Sequence, residues 1–223
     1  MRRYMATVGI VVLAALLVCG VAEAKKKPKI IKVSYLKLEP AEQSPATKSG
    51  VTVAVSYSAA TDPRYTFRYK TGEKDFLGTE ITKKANVFVG LVVLEVGITN
   101  NTGHVLRTAG SVVTLVPSDG SEPIQAFTLQ DLAEAWAAQG VPGVDAYLKE
   151  QKIRMLKLDT DIILPGQTLK GLLPFKSKVE GSGACTLNIL DLVTQTDAAG
   201  NPTERTNFDF NFKEQVTEME EQK

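Results

Sequence analysis

Alternation constrains this chain more than any other feature. Near the C-terminus Phe208, Phe210 and Phe212 interleave with Asn207, Asp209 and Asn211, and earlier Val51, Val53, Val55 and Tyr57 interleave with Thr52, Ala54, Ser56 and Ser58. Successive strand side chains point to opposite faces, so a period of two with one apolar parity specifies a strand that buries one face. Further β-rich runs fall at Ile30 to Leu38, Val87 to Thr99, Val105 to Val116, Leu169 to Phe175 and Cys185 to Thr194. Strands at this spacing, separated by turn residues, predict a mainly β protein, an antiparallel β-sandwich.

One junction between runs is sharply marked. In Val87 to Ile98, the positions Phe88, Val92, Leu94, Val96 and Ile98 share a parity, and Glu95, Gly97 and Thr99 take the other, facing solvent. Asn100, Asn101 and Gly103 are residues that accept left-handed or tight-turn angles, so the reading here is a hairpin, with Val105 onward returning as the partner strand. Ala109-Gly110 then shifts the parity toward Val113 and Leu115, as a bulge or crossing point would.

A segment of different period interrupts the strands. Leu129, Leu132, Ala133, Trp136 and Ala137 fall at i, i+3, i+4, i+7 and i+8, an amphipathic helix with Thr128 placed to cap it and Gly140 and Pro142 to end it. A second helical turn puts Val144, Tyr147 and Leu148 on one face. The segment from 128 to 151 reads as a short helical insertion over an open end or edge of the sandwich, with Trp136, the lone tryptophan, as a packing anchor.

The ends of the chain carry different signals. A basic start at Arg2 and Arg3, an apolar run from Val8 to Val18 and Ala22-Glu23-Ala24 together predict a signal peptide over 1–24, cleaved before Lys25. The apolar run is shorter than the roughly 20 residues of a membrane-spanning helix. Cys19 at the end of that run offers an alternative, the lipid attachment point of a lipoprotein. The domain reading continues with a basic segment and first strand over 25–50, a sandwich with its helical insertion over 51–213, and an acidic tail over 214–223. The "KKKPK" stretch at 25–29 and that tail read as solvated termini.

Cleavage leaves Cys185 as the single cysteine, so no internal disulfide is possible and the core must hold the fold together. Cys185 opens a strand and reads as a small buried residue. Lys and Arg number 26 against 25 Asp and Glu, and losing Arg2, Arg3 and Glu23 leaves the two equal, so there is no basic field for nucleic acid.

Candidate chemistry is sparse. His104 is the only histidine, which excludes a multi-histidine metal site and leaves a Ser-His-Asp arrangement dependent on a turn residue. Asp159 and Asp161 share a parity in "LDTDI", but a calcium loop wants more oxygen ligands around a central glycine. No Gly-rich phosphate loop is present, and Asn100-Asn101-Thr102 forms a glycosylation sequon without meaning in a bacterial host.

The order "VVLEVGITNNTGHVLRTAGSVVTLVPSDG", a variable segment, then "ILPGQTLKGLLPFK" and a last apolar strand resembles exported bacterial immunoglobulin-like β-sandwich proteins of unknown function, over Val87 to Leu192. The resemblance implies an immunoglobulin-like sandwich in the periplasm or outside the cell, and brings no catalytic residues. The reading is therefore a non-enzymatic protein-interaction or structural module of the bacterial cell envelope. It has no catalytic, cofactor or metal residues, its partner is another envelope protein, and it binds no nucleic acid. The alternative is an extracytoplasmic hydrolase using the carboxylates of Asp159, Asp161 or Asp191.

Overall fold

The computed structural model describes residues 30–58, 66–86, 88, 91–138, 140–141, 143–157, 162–176 and 183–220. Ser34–Thr217 form one compact unit, which the following paragraphs describe; the outer ends of the first and last strands belong to a second. The unit is mainly β. One antiparallel sheet runs in the order β1 (Ile30–Leu38), β13 (Pro202–Glu220), β12 (Ala184–Thr196), β7 (Leu106–Arg107) and β10 (Ile162–Ile163). On that same sheet β8 (Val112–Pro117) also pairs with β12, and β9 (Ile124–Gln125) pairs with β8. The other sheet runs β11 (Thr168–Lys176), β6 (Leu91–Asn100), β3 (Val51–Ser58), β2 (Ala46–Lys48).

The alternating runs dictate how the two sheets meet. In the first sheet Phe208, Phe210 and Phe212 stand opposite Ile189, Leu187 and Cys185, which stand opposite Val113, Leu115 and Pro117. In the second, Val53 and Tyr57 stand opposite Ile98 and Leu94, and these opposite Leu169 and Leu173. Such in-register rows put one side chain per strand at each level, so both inner faces present continuous apolar surface to a shared core. Burying each large side chain contributes about 1.5–3 kcal/mol, and the three phenylalanines are essentially inaccessible. The core also takes in Leu36 of β1.

A second apolar cluster lies on the opposite face of the β6–β11 pair. Val93 and Leu172 point away from the main core and join Leu132 and Trp136 of α1 (Leu129–Ala138) and Val144, Tyr147 and Leu148 of α2 (Val144–Glu150). The helices therefore cover the outer face of the second sheet, and do not close an open end or edge of the sandwich. Ala137 is exposed, and Phe88 joins this second cluster in place of the main one. Phe88 lies in a turn ahead of β6, its carbonyl accepting from the Leu91 N–H at 3.1 Å, so the parity of the strand does not extend to it, and within β6 both parities are apolar at the start. Helix α1 begins with a reciprocal cap in which the Asp131 N–H donates to Thr128 Oγ1 at 3.1 Å and Asp131 Oδ2 accepts from the Thr128 N–H at 2.7 Å. No helix among the described residues is long and apolar enough to cross a membrane.

The Asn-Asn-Thr-Gly corner is not a hairpin. β6 pairs with β3 and β11 in one sheet, and the chain beyond the corner enters the other sheet as β7, so the corner carries the chain across the sandwich. Asn100, the last residue of β6, is fully buried. Its Nδ2 donates to the carbonyls of His104 (2.7 Å) and Ile163 (2.8 Å), and its Oδ1 accepts from the N–H (2.9 Å) and hydroxyl (2.6 Å) of Thr102. Neither asparagine, nor Gly103, adopts a positive φ. The corner rests on hydrogen bonding by one buried amide and not on left-handed backbone. The expected run from Val105 to Val116 is split by a turn at Thr108–Ser111, after which Val112 is exposed and Val113 and Leu115 are buried, as the parity shift required.

Candidate functional site

Strands β4 (Thr66–Lys74) and β5 (Glu80–Asn86) form a hairpin that pairs with neither sheet. Sequence periodicity misses it because each strand carries few apolar residues, Phe67 and Tyr69 in β4 and Ile81 and Ala85 in β5. Tyr69 and Ala85 pack, partly buried, against the helix-covered cluster. The opposite side carries Arg68 and Lys84, which are direct cross-strand partners and both exposed, followed by Lys70, salt-bridged to Glu80 at 2.7 Å. Between Lys70 and Lys74 the register shifts at a bulge where Gly72 has φ +77°.

The hairpin ends in a tightly tied turn. The Asp75 N–H donates to the Thr79 carbonyl (2.9 Å) and the Gly78 N–H to the Asp75 carbonyl (3.0 Å). Asp75 Oδ1 accepts from the N–H groups of Leu77 and Thr79, both at 2.9 Å. Gly78 supplies the positive φ of +79° that closes it. Phe76 and Leu77 occupy the two positions that the turn leaves free, and they are 95% and 74% exposed.

The same molecule contains a twin of this turn. Between β12 and β13 the Asp197 N–H donates to the Asn201 carbonyl (2.9 Å) and the Gly200 N–H to the Asp197 carbonyl (3.0 Å). Asp197 Oδ1 accepts from the N–H groups of Ala199 (2.9 Å) and Asn201 (2.8 Å), and Gly200 has φ +86°. The Asn201 side chain and these amides hold the Asp197 carboxyl below its usual range. Here the two free positions are Ala198 and Ala199. The turn needs its aspartate and glycine; it does not need what lies between them. Lone exposed apolar residues are ordinary on protein surfaces, but a phenylalanine and a leucine side by side where the twin carries two alanines call for another reason. The spacing Asp-x-x-Gly, repeated in "DFLGT" and "DAAGN", is the sequence signal that marks the site.

The residues singled out by sequence lie elsewhere. His104 is exposed and enters the corner through its backbone, its carbonyl accepting from Asn100 Nδ2 with the Thr102 hydroxyl oxygen 3.0 Å away, and its N–H donating to Thr102 Oγ1 at 3.2 Å. Cys185 is buried in the main core, and burial pushes its thiol up to about 12, where it stays protonated and unreactive. Asp191 sits exposed at the β12 bulge with φ +58°, its N–H donating to Asn207 Oδ1 at 2.8 Å. Asp159 and Asp161 fall outside the described residues. Trp136 packs beside Tyr147, ring centroids 5.8 Å apart, inside the second cluster. Among the described residues no three His, Cys, Asp or Glu side chains converge as metal ligands. Comparison with protein-family models, curated proteins and solved structures returned no match for this chain.

Proposed function

We propose that this is a non-enzymatic, exported β-sandwich protein of the bacterial cell envelope, an interaction module that makes its contact through the β4–β5 hairpin. One observation carries the reading: two turns with the same hydrogen bonds differ in that one presents Phe76 and Leu77 almost wholly to solvent. Leaving a large apolar side chain in water forgoes about 1.5–3 kcal/mol of burial, and exposed apolar groups on a rigid loop commonly mark a contact surface. The leader-like N-terminus and the resemblance to exported immunoglobulin-like sandwiches support the location. The test is retention in washed envelope fractions of cells producing the full chain. Phe76→Ser/Leu77→Ser should release the protein, and Ala198→Ser/Ala199→Ser should not. Equal retention of the two variants would remove the hairpin from the account.

A further inference from the structure

We propose that the surface this hairpin contacts is an anionic lipid bilayer, with Phe76 and Leu77 wedged among the headgroups and the face carrying Arg68 and Lys84 turned to the phosphates. The inference rests on the reading of the hairpin as the contact surface and names what it touches.

Area and charge favour lipid. Two side chains on a single turn cover far less than the roughly 800 Å² per partner of a stable protein–protein interface. A bilayer interface, by contrast, is bound reversibly by a small apolar group combined with nearby cations. Across 66–86 five cations (Arg68, Lys70, Lys74, Lys83, Lys84) face three anions (Glu73, Asp75, Glu80), in a chain whose formal net charge is only +1. Glu80 is engaged with Lys70 at 2.7 Å, Glu73 lies 3.7 Å from Lys83, and Asp75 ties the turn. Like charges placed directly across a strand pair are destabilising, yet Arg68 and Lys84 occupy such a pair on the face away from Tyr69. A surface of phosphates relieves that repulsion. Because the other face packs on the body of the protein, the hairpin is free to lie along a membrane with its tip dipping in.

The experiment is sedimentation of the purified full chain with vesicles of phosphatidylcholine containing phosphatidylglycerol, and with phosphatidylcholine alone. The expected result is weak, salt-sensitive binding to the anionic vesicles only. Phe76→Ser/Leu77→Ser should weaken it about 100-fold, Arg68→Gln/Lys84→Gln about tenfold, and Ala198→Ser/Ala199→Ser not at all. In a Phe76→Trp variant, indole emission should shift to shorter wavelength on binding, a signal separable from the buried Trp136 by difference against wild type. Absence of wild-type binding, or equal binding to neutral vesicles, overturns the lipid assignment. If the tip variant still leaves the envelope in that case, the hairpin contacts a protein and the interaction reading stands. Tip and wild-type proteins that bind anionic vesicles equally well overturn the role of Phe76 and Leu77.

Discussion

Asn100 and Phe76 are misplaced by ordinary rules in opposite senses. Asn100 is polar and fully buried; Phe76 is apolar and 95% exposed. Every polar atom of the Asn100 side chain has a partner, so its burial holds a corner that joins the two sheets. Phe76 has none of that local justification, since a turn of the same geometry is built with alanine in the equivalent place. The difference teaches how to sort such residues. A buried polar group that is fully satisfied is explained by the fold, and an exposed apolar group that the fold does not use points outward.

The largest expected effect comes from breaking the first member. Asn100→Ala takes the amide donor from the Ile163 carbonyl and leaves the His104 carbonyl only the Thr102 hydroxyl, 3.0 Å away, and should cost about 3 kcal/mol in denaturant unfolding. Asn100→Asp keeps the acceptor but loses both donated bonds and buries a charge, so it should be at least as damaging. A loss below about 1 kcal/mol in either variant would show that the corner holds without its amide.

A smaller effect is expected at the α1 cap. Thr128→Ala should cost about 1 kcal/mol. The same change should alter the acid response, because the hydrogen bond from the Thr128 hydroxyl, then that from its N–H, holds the Asp131 carboxyl below its usual 3.8. A depressed carboxyl contributes stability above its unfolded value and loses it as pH falls through the folded one. Wild type should therefore lose more stability than Thr128→Ala as pH is lowered below about 4, and parallel pH profiles would contradict the cap.

The smallest effects belong to exposed positions. Phe76→Ser/Leu77→Ser and His104→Ala should each stay within about 0.5 kcal/mol of wild type, which sharpens the comparison because any functional loss at the tip is then free of unfolding. Cys185 should resist maleimide in the native state and react on denaturation; rapid native labelling would show that the main core opens near β12.

What was legible in the sequence follows from how each element is stabilised. The strands of the two main sheets bury one face against a shared core, and the period of two in Val51 to Tyr57 and Phe208 to Phe212 records that. The helices were legible by their stripe, but their address was not. That depended on Val93 and Leu172 facing outward from two strands of one sheet. Asn-Asn-Thr-Gly suits a turn and so points to a hairpin, whereas the carbonyl that Asn100 serves, at Ile163, comes from 63 residues further along the chain. The candidate site is invisible to periodicity because β4 and β5 carry few apolar residues, and it emerges when the Asp75 and Asp197 turns are set side by side.

Photo-crosslinking in intact cells asks whether the Phe76 tip meets another component and its twin at Ala198 does not. A benzophenone amino acid replacing Phe76 should form adducts on illumination, to lipid if the further inference holds, while the same group replacing Ala198 should form none. Equal adduct yields from the two positions, or none from position 76, would contradict the account.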